Sequence, residues 1–193
     1  MKISTWNVNS VNARIEHLEK FIKKDQSDIY LLQELKTVED GFPKEIIKNA
    51  GYYSYVNGQK AWNGVAILSK EKLEITNTSI PKYDDPNARL IETEIQLKKI
   101  KKNIKLINIY LPNGNPIETE KFDYKIKWMK KFNSYIQELK DKNIPIIISG
   151  DFNVIPTDDD VYSPENFKND ACAHPLTREQ YRILINMGFT DLV

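Results

Sequence analysis

The chain has 193 residues, of which 40% are hydrophobic and 28% charged, as in an ordinary soluble globular protein. The formal net charge of +1 does not indicate a nucleic-acid partner, so any attraction to phosphate must come from local basic patches. The single cysteine, Cys172, excludes an internal disulfide and a zinc site built on several thiolates. We interpret its thiol as buried or neutral.

The amino-terminal segment, MKISTWNVNS, lacks the apolar run of a signal peptide, and no stretch reaches the ~20 apolar residues of a membrane span. These features predict a cytoplasmic protein with no membrane partner. There is no repeat, low-complexity tract or linker, and the length fits one core. We therefore predict a single domain over residues 1–193.

Eight short runs predict β-strands, because most are rich in Ile, Val and Tyr and have the length of a strand. They are Lys2–Thr5, Ile29–Leu32, Tyr52–Val56, Gly64–Leu68, Leu73–Thr76, Leu90–Ile95, Ile104–Tyr110 and Ile144–Ser149. The alternation in Leu90–Ile95 predicts one face in water, whereas Ile144–Ser149 is apolar enough to be buried on both faces.

Helical patterns cover four segments, which are Val11–Lys24, Pro43–Ala50, Glu118–Lys140 and Thr177–Asn186. Asn9 or Ser10 would cap the first helix, and Thr177 would cap the fourth. The order of the predicted elements indicates an α/β fold. The chain begins with strand, helix and strand, continues with a series of antiparallel strands, and ends its sheets with a long helix and a last buried strand. We predict a layered sandwich of mixed β-sheets flanked by helices.

Polar side chains follow four of the predicted strands at their carboxyl ends. Because neighbouring strand ends converge in α/β folds, these side chains are expected to meet. Carboxylate and amide oxygens suit Mg²⁺ or Mn²⁺, whereas zinc prefers His and Cys. We therefore predict a Mg²⁺ site, with Mn²⁺ as a possible substitute. The polar residues are Asn7, Asn9, Glu34, Asn108, Tyr110, Asn113, Asp151 and Asn153.

Each of these residues also has an ordinary interpretation. Glu34 could be a solvated strand end, Asn7 and Asn9 could cap the first helix, and Tyr110 could belong to the core. Asp151 is harder to explain as an idle carboxylate, because it directly follows an apolar strand. The coincidence at four strand ends favours a shared site.

Five segments of the chain resemble one enzyme family. They are TWNVNSVNAR, LLQELK, GQKAWNGVAILSK, INIYLPNG and GDFNVIPTDDDV. They resemble the exonuclease III family of apurinic/apyrimidinic endonucleases, within the wider endonuclease/exonuclease/phosphatase superfamily. The resemblance covers essentially all 193 residues in order. GDFN is shared with the wider superfamily, whereas the other segments are more specific to the DNA-repair branch.

The resemblance implies roles for five of the polar residues. Glu34 matches the principal metal ligand, and Asn7, Asp151 and Asn153 match other metal-site positions. Tyr110 matches the tyrosine that contacts the scissile phosphate. Asp151 matches the carboxylate that orients or deprotonates the attacking water, and Asn153 matches an amide that supports the phosphate.

Four further residues are predicted to contact DNA. Lys60 and Trp62 lie just before a strand and combine a cation with a ring suited to stacking. Arg89 resembles a backbone-contacting arginine, and Asn113 lies in the loop after the family's tyrosine. The basic run 98–102 is interpreted as a solvated turn, with phosphate contact as the alternative.

The resemblance therefore implies a metal-dependent DNA-repair phosphodiesterase. It would hydrolyse the backbone 5′ to abasic sites and remove nucleotides in the 3′→5′ direction. Its partner would be double-stranded DNA with abasic sites or 3′ ends, and it would act as a monomer.

Family members continue beyond the segment LINMGFTDLV with further strands and a Ser-Asp-His motif. Neither His17 nor His174 matches that histidine, and we interpret them as a helix-surface residue and a loop residue. The last strands are therefore expected to be missing here. Two alternatives stay open, which are a catalytically impaired DNA-binding fragment and a phosphodiesterase acting on a lipid or inositol phosphate.

Overall fold

The computed structural model describes residues 1–97 and 102–192. The chain forms two compact units, one comprising Met1–Tyr110 with Pro145–Asp151 and the other Leu111–Ile144 with Phe152–Val193. The prediction of one domain over residues 1–193 stays a prediction. Most of the basic run 98–102 lies outside the described residues.

The first unit contains two four-stranded sheets. The strands are β1 (Ile3–Asn7), β2 (Ile29–Gln33), β3 (Tyr53–Asn57), β4 (Val65–Ser69), β5 (Ile75–Asn77), β6 (Leu90–Leu97), β7 (Lys102–Tyr110) and β8 (Ile146–Asp151). One sheet has the order β1-β2-β4-β3 and the other β5-β6-β7-β8. The pairs β1–β2 and β7–β8 are parallel and the rest antiparallel, so both sheets are mixed, as predicted.

The α-helices of the described residues are α1 (Ile15–Asp25), α2 (Lys44–Asn49), α3 (Glu120–Asp141) and α4 (Pro175–Asn186). In the first unit, α1 and α2 cover one face of the first sheet, where Leu18 and Ile47 pack in the same cluster as Leu32 of β2. On the other face, Leu31 of β2 packs in one cluster with Leu106 of the second sheet. Alternate residues of β2 thus enter two different cores, which explains its continuous apolar sequence.

In the second unit, α3 and α4 pack together, and Asn133 donates to the backbone oxygen of Gln180 at 3.0 Å. The apolar side chains of the long helix at Phe122, Met129 and Phe132 are buried. Within the part of the chain that the structure describes, no helix is long and apolar enough to cross a membrane.

The prediction of a wet face on β6 is wrong at Glu92. This carboxylate is fully buried and accepts hydrogen bonds from Lys105, at 2.8 Å, and from Thr76 and Asn77. Residues of the two neighbouring strands therefore satisfy a charge that the sequence pattern places in water.

The prediction that the last strand is buried on both faces is also wrong. Every residue of β8 has intermediate burial. Among the described strands β8 is last in its sheet, with β7 as its only partner. One side of the strand is therefore less covered than its apolar sequence suggests.

Neither predicted side chain caps the α-helix for which it was proposed. α1 follows a 3₁₀ turn at Asn12–Arg14 and has no side-chain cap at its own start. The Ser10 hydroxyl oxygen accepts from the Ala13 N–H at 3.4 Å in that turn, one turn before the helix begins. α4 is capped by His174, whose ring nitrogen Nδ1 accepts from the Leu176 N–H at 3.2 Å. The hydroxyl of Thr177 donates instead to the Ala171 carbonyl, inside the unit.

Candidate active site

Four predicted site residues meet at the carboxyl ends of strands in the first unit. Asn7 is the last residue of β1, and Glu34 directly follows β2. Tyr110 and Asp151 end β7 and β8 and are register partners. The parallel pairing within each sheet carries these side chains to one edge, as the sequence pattern predicts.

One amide nitrogen links the two carboxylates of this cluster. Nδ2 of Asn7 donates to Oε1 of Glu34 and to Oδ2 of Asp151, at 2.8 Å in each case. Because both bonds share one nitrogen, the two carboxylate oxygens lie no further apart than twice that distance. Oδ1 of Asn7 accepts from the Asn9 N–H at 3.0 Å, which fixes the orientation of the amide.

Glu34 is held ionised by its neighbours. Burial works against its charge, but hydrogen bonds from Asn7, Lys36 and Tyr110 outweigh burial and place the pKa of the carboxyl below its usual value. Nζ of Lys36 lies 3.1 Å from Oε2 of Glu34. The backbone of Glu34 has φ +54°, a left-handed conformation that is uncommon for this residue type.

Tyr110 keeps its proton in this environment. Burial, together with the nearby negative charge of Glu34, raises the pKa of its hydroxyl. The protonated hydroxyl donates its hydrogen bond to Glu34. The guanidinium of Arg89 lies 5.1 Å from the centre of the Tyr110 ring and donates to the Tyr110 carbonyl at 3.1 Å.

Gly150 allows Asp151 to reach its place. Its φ is +137°, and a Cβ there would lie 2.0 Å from the Ile109 carbonyl oxygen. Only glycine fits this close approach of two strands. Close packing of the backbones of β7 and β8 therefore requires glycine at the position before Asp151.

The donor set fits a hard divalent cation. Glu34 and Asp151 offer carboxylate oxygens within reach of one ion and its water shell. Across residues 1–97 and 102–192, no group of three or more His, Cys, Asp or Glu side chains could hold a metal ion. A pair of carboxylates agrees with magnesium chemistry, because Mg²⁺ takes few protein ligands and keeps several waters.

Asn153 and Asn113 belong to the second unit. Nδ2 of Asn153 donates to the Leu111 carbonyl at 2.8 Å, and Nδ2 of Asn113 donates to Oδ1 of Asn153 at 3.3 Å. Asn153 has φ +46°, which asparagine tolerates better than most residues. The roles of both residues remain predictions.

The two residues predicted to contact DNA before β4 are exposed. Trp62 is 69% exposed, which is unusual for a tryptophan, and Lys60 is exposed beside it. Asn63 anchors the loop by donating to the Gln59 side chain at 2.9 Å. The loop therefore presents a ring and a cation on a fixed base.

Sequence reasoning did not assign Lys36 to the site. Its ammonium bridges Glu34 and the side-chain oxygen of Asn9. The sequence feature that could have identified Lys36 is its place two residues after Glu34 in the segment LLQELK. His17 is exposed on α1, as predicted.

A cluster of strand-end carboxylates on two mixed sheets is the class of site found in metal-dependent hydrolases. Residues 4–190 match the model of the Endonuclease/Exonuclease/phosphatase family. Exodeoxyribonuclease III of Haemophilus influenzae is 35% identical, over 99% of this chain and 74% of the relative. The chain therefore belongs to the Endonuclease/Exonuclease/phosphatase family.

Two solved structures share the fold. An AP endonuclease from Archaeoglobus fulgidus matches with a TM-score of 0.90 and 34% identity, over 99% of this chain and 72% of that chain. A 3′ phosphatase from Neisseria, bound to product DNA hairpin, matches with a TM-score of 0.90 and 32% identity, over the same shares. The predicted family, the α/β class with two mixed sheets and the hydrolytic enzyme class are confirmed. The family depends on a divalent metal.

Proposed function

We propose that this protein is a DNA-repair phosphodiesterase of the exodeoxyribonuclease III type. It would hydrolyse the backbone of double-stranded DNA 5′ to abasic sites and remove nucleotides from 3′ ends. The observation that carries the proposal is the single amide nitrogen of Asn7 that joins the carboxylates of Glu34 and Asp151. The relatives support it, because one is an exodeoxyribonuclease III and another an AP endonuclease.

Glu34 and Asp151 would hold the cation, which we propose to be Mg²⁺ with Mn²⁺ as a substitute. When bound, it would neutralise charge on the phosphoryl and leaving oxygens. Glu34 suits this role because its hydrogen bonds keep the pKa of the carboxyl below its usual value despite burial. Asn7 would keep the two carboxylates together and offset their repulsion.

The remaining residues would handle the proton and the developing charge. Asp151 would orient the attacking water and accept its proton, and the leaving group would be the 3′ oxygen. Tyr110, which is protonated at neutral pH, would turn its single hydroxyl proton from Glu34 to a phosphate oxygen. Asn153 would donate to the same phosphate, as the family resemblance implies. The DNA would be contacted by four further residues, which are Lys60, Trp62, Arg89 and Asn113.

The alternative of a catalytically impaired DNA-binding fragment is not favoured, because the matching relatives are nucleases. The DNA-bound structure of the Neisseria relative supports DNA as the partner. We further propose that the protein acts as a monomer in the cytoplasm.

A cleavage assay on a duplex with one abasic site tests the proposal. We expect a nick 5′ to the site with Mg²⁺ or Mn²⁺ and none with EDTA. Glu34→Gln and Asp151→Asn should each lower the rate by on the order of 100-fold or more, since both remove charge from the proposed metal site. Glu16→Gln, an exposed change on α1, is the matched control.

Two results would contradict the proposal. Salt-sensitive DNA binding without cleavage in either metal would instead support the impaired fragment. Turnover of a lipid or inositol phosphate, with no effect on abasic DNA, would support the alternative of a phosphodiesterase acting on those substrates.

A further inference from the structure

Lys125 is a fully buried lysine in the middle of α3. Burying an ammonium group is costly in free energy unless its protons form hydrogen bonds. The hydrogen-bond partners of Lys125 therefore indicate its role. Nζ donates to the carbonyl of Asn113 at 2.9 Å and to the carbonyl of Asn153 at 2.5 Å. One cation thus joins the backbones of two asparagines that lie 40 residues apart in the chain.

The side chains of these two asparagines also interact. Nδ2 of Asn113 donates to Oδ1 of Asn153, and Nδ2 of Asn153 donates to the Leu111 carbonyl. Lys125 therefore holds the backbone on which the Asn153 amide depends. Asn153 has φ +46° and lies beyond the end of the last strand, so contacts outside the strand ladder fix its conformation.

The surroundings of Lys125 are shaped to its side chain. A Cβ at Gly114 would lie 2.6 Å from Cδ of Lys125, so a glycine in the loop after Asn113 lets the chain pass over the lysine. The Cys172 sulfur lies 4.0 Å from Nζ and also 4.0 Å from Oδ1 of Asn153. Three loops of the second unit thus converge on one ammonium group.

We propose that Lys125 is a positioning residue that orients the side-chain amide of Asn153 for the reaction. The inference rests on the proposed function, in which that amide donates to the substrate phosphate. Lys125 itself has no role in contacting DNA, because it is fully buried. Removing its bonds lets Asn153 move, and a displacement of about 1 Å can cost on the order of 100-fold in rate.

Lys125→Met removes the ammonium and keeps an unbranched side chain. We expect kcat on the abasic duplex to fall on the order of 100-fold with KM within a few-fold, because DNA contact is unchanged. Lys125→Arg, which keeps donors and charge, should recover part of the loss. Lys130→Met makes the same change at an exposed position of the same helix and should leave both constants unchanged.

A double-mutant cycle with Asn153→Ala separates positioning from a general structural role. If Lys125 acts through Asn153, adding Lys125→Met to Asn153→Ala should cause little further loss. Losses that multiply in full would overturn the proposal, as would an unchanged kcat in folded Lys125→Met. If that variant does not fold, Lys125→Gln takes its place, and failure of both to fold would assign Lys125 to folding alone and overturn the proposal.

A second measurement does not depend on activity. The side-chain amide resonance of Asn153 in ¹⁵N NMR spectra should shift in Lys125→Met and stay in place in Lys130→Met. An unshifted signal overturns the inference even if the unsubstituted chain proves inactive. Absence of cleavage by the unsubstituted chain, with the expected shift present, would instead count against the proposed function.

Discussion

Asn7 shows how a single side chain can determine the character of a site. Two carboxylates at close range repel each other. The amide nitrogen between Glu34 and Asp151 donates to both and reduces this repulsion. Lys36 adds a positive charge on the far oxygen of Glu34. The result is a negatively charged pair that is ready to bind a cation.

The first prediction concerns this amide. Asn7→Ala removes both hydrogen bonds, so metal affinity or cleavage rate should fall by on the order of 10- to 100-fold, as is usual when a partner of a metal ligand is lost. Titration of cleavage with Mn²⁺ measures the change. Asn49→Ala, at an exposed position of α2, is the control. An unchanged Mn²⁺ titration would show that Asn7 does not support the pair.

At the scale of elements, the pairing of β6 and β7 depends on a buried charge. Glu92 is fully buried and Lys105, which donates to it, is only 12% exposed. A buried ion pair adds little stability over an apolar pair, but removal of one partner is strongly destabilising. This pair is therefore a point where the second sheet can be weakened by one substitution.

Lys105→Met should lower the free energy of unfolding by roughly 3 kcal/mol or more, because Glu92 would remain buried without its cation. Urea denaturation measures this loss. Lys102→Met, at an exposed position of the same strand, should change little. Glu92→Leu combined with Lys105→Met should recover much of the stability, and failure to do so would mean that the buried charge is not the cause.

The same pair predicts a dependence on pH. Burial opposes the charge of Lys105, but Glu92 and Glu94 outweigh burial and raise its pKa above 10.5. Because the folded pKa is the higher one, the contribution of this lysine is complete below the ordinary pKa and is lost as pH rises through the folded value. The stability difference between the unsubstituted protein and Lys105→Met should therefore be constant at neutral pH and shrink above about pH 10.

Asn108 connects the two sheets from the middle of the sandwich. It is fully buried, and its Nδ2 donates to the carbonyls of Leu32 and Ala66 at 3.0 and 2.9 Å. Its Oδ1 accepts from Gln33 at 2.7 Å, beside Glu34. The bridge joins β7 to β2 and β4, so it fixes the strand that leads into the site.

Asn108→Leu keeps the volume and removes all three bonds. We expect a loss of roughly 3 kcal/mol in unfolding free energy, since buried polar groups of the partners are left unsatisfied. The denaturation midpoint measures it, and Asn103→Leu at an exposed position of the same strand serves as the control. A loss below about 1 kcal/mol would mean that the sheets do not depend on the bridge.

At the scale of the whole molecule, a net charge of +1 gives no general attraction to DNA. Binding should therefore depend on a few local cations. Lys60→Ala should weaken DNA binding and reduce the slope of log K against log salt by about 1, because one phosphate contact is lost. Lys48→Ala, also exposed, should leave the slope unchanged. Equal slopes for Lys60→Ala and the unsubstituted protein would remove Lys60 from the DNA surface.

The sequence by itself determined the strands, the helices and the family. All eight predicted strands exist with ends within two residues, because apolar periodicity and β-branched residues depend on local chemistry. The clustering of Asn7, Glu34, Tyr110 and Asp151 followed from their common place at strand ends. Family motifs added roles that spacing alone left open.

Only the tertiary structure decided how polar groups are satisfied. Glu92 is buried beside Lys105, and His174 rather than Thr177 lies at the start of α4. Lys125 is enclosed by loops that contain Asn113, Asn153 and Cys172. These partners lie on different elements, so no local pattern could reveal them. Burial of a charge is tolerated only where distant residues supply its hydrogen bonds, and those distances exist only after the chain has folded.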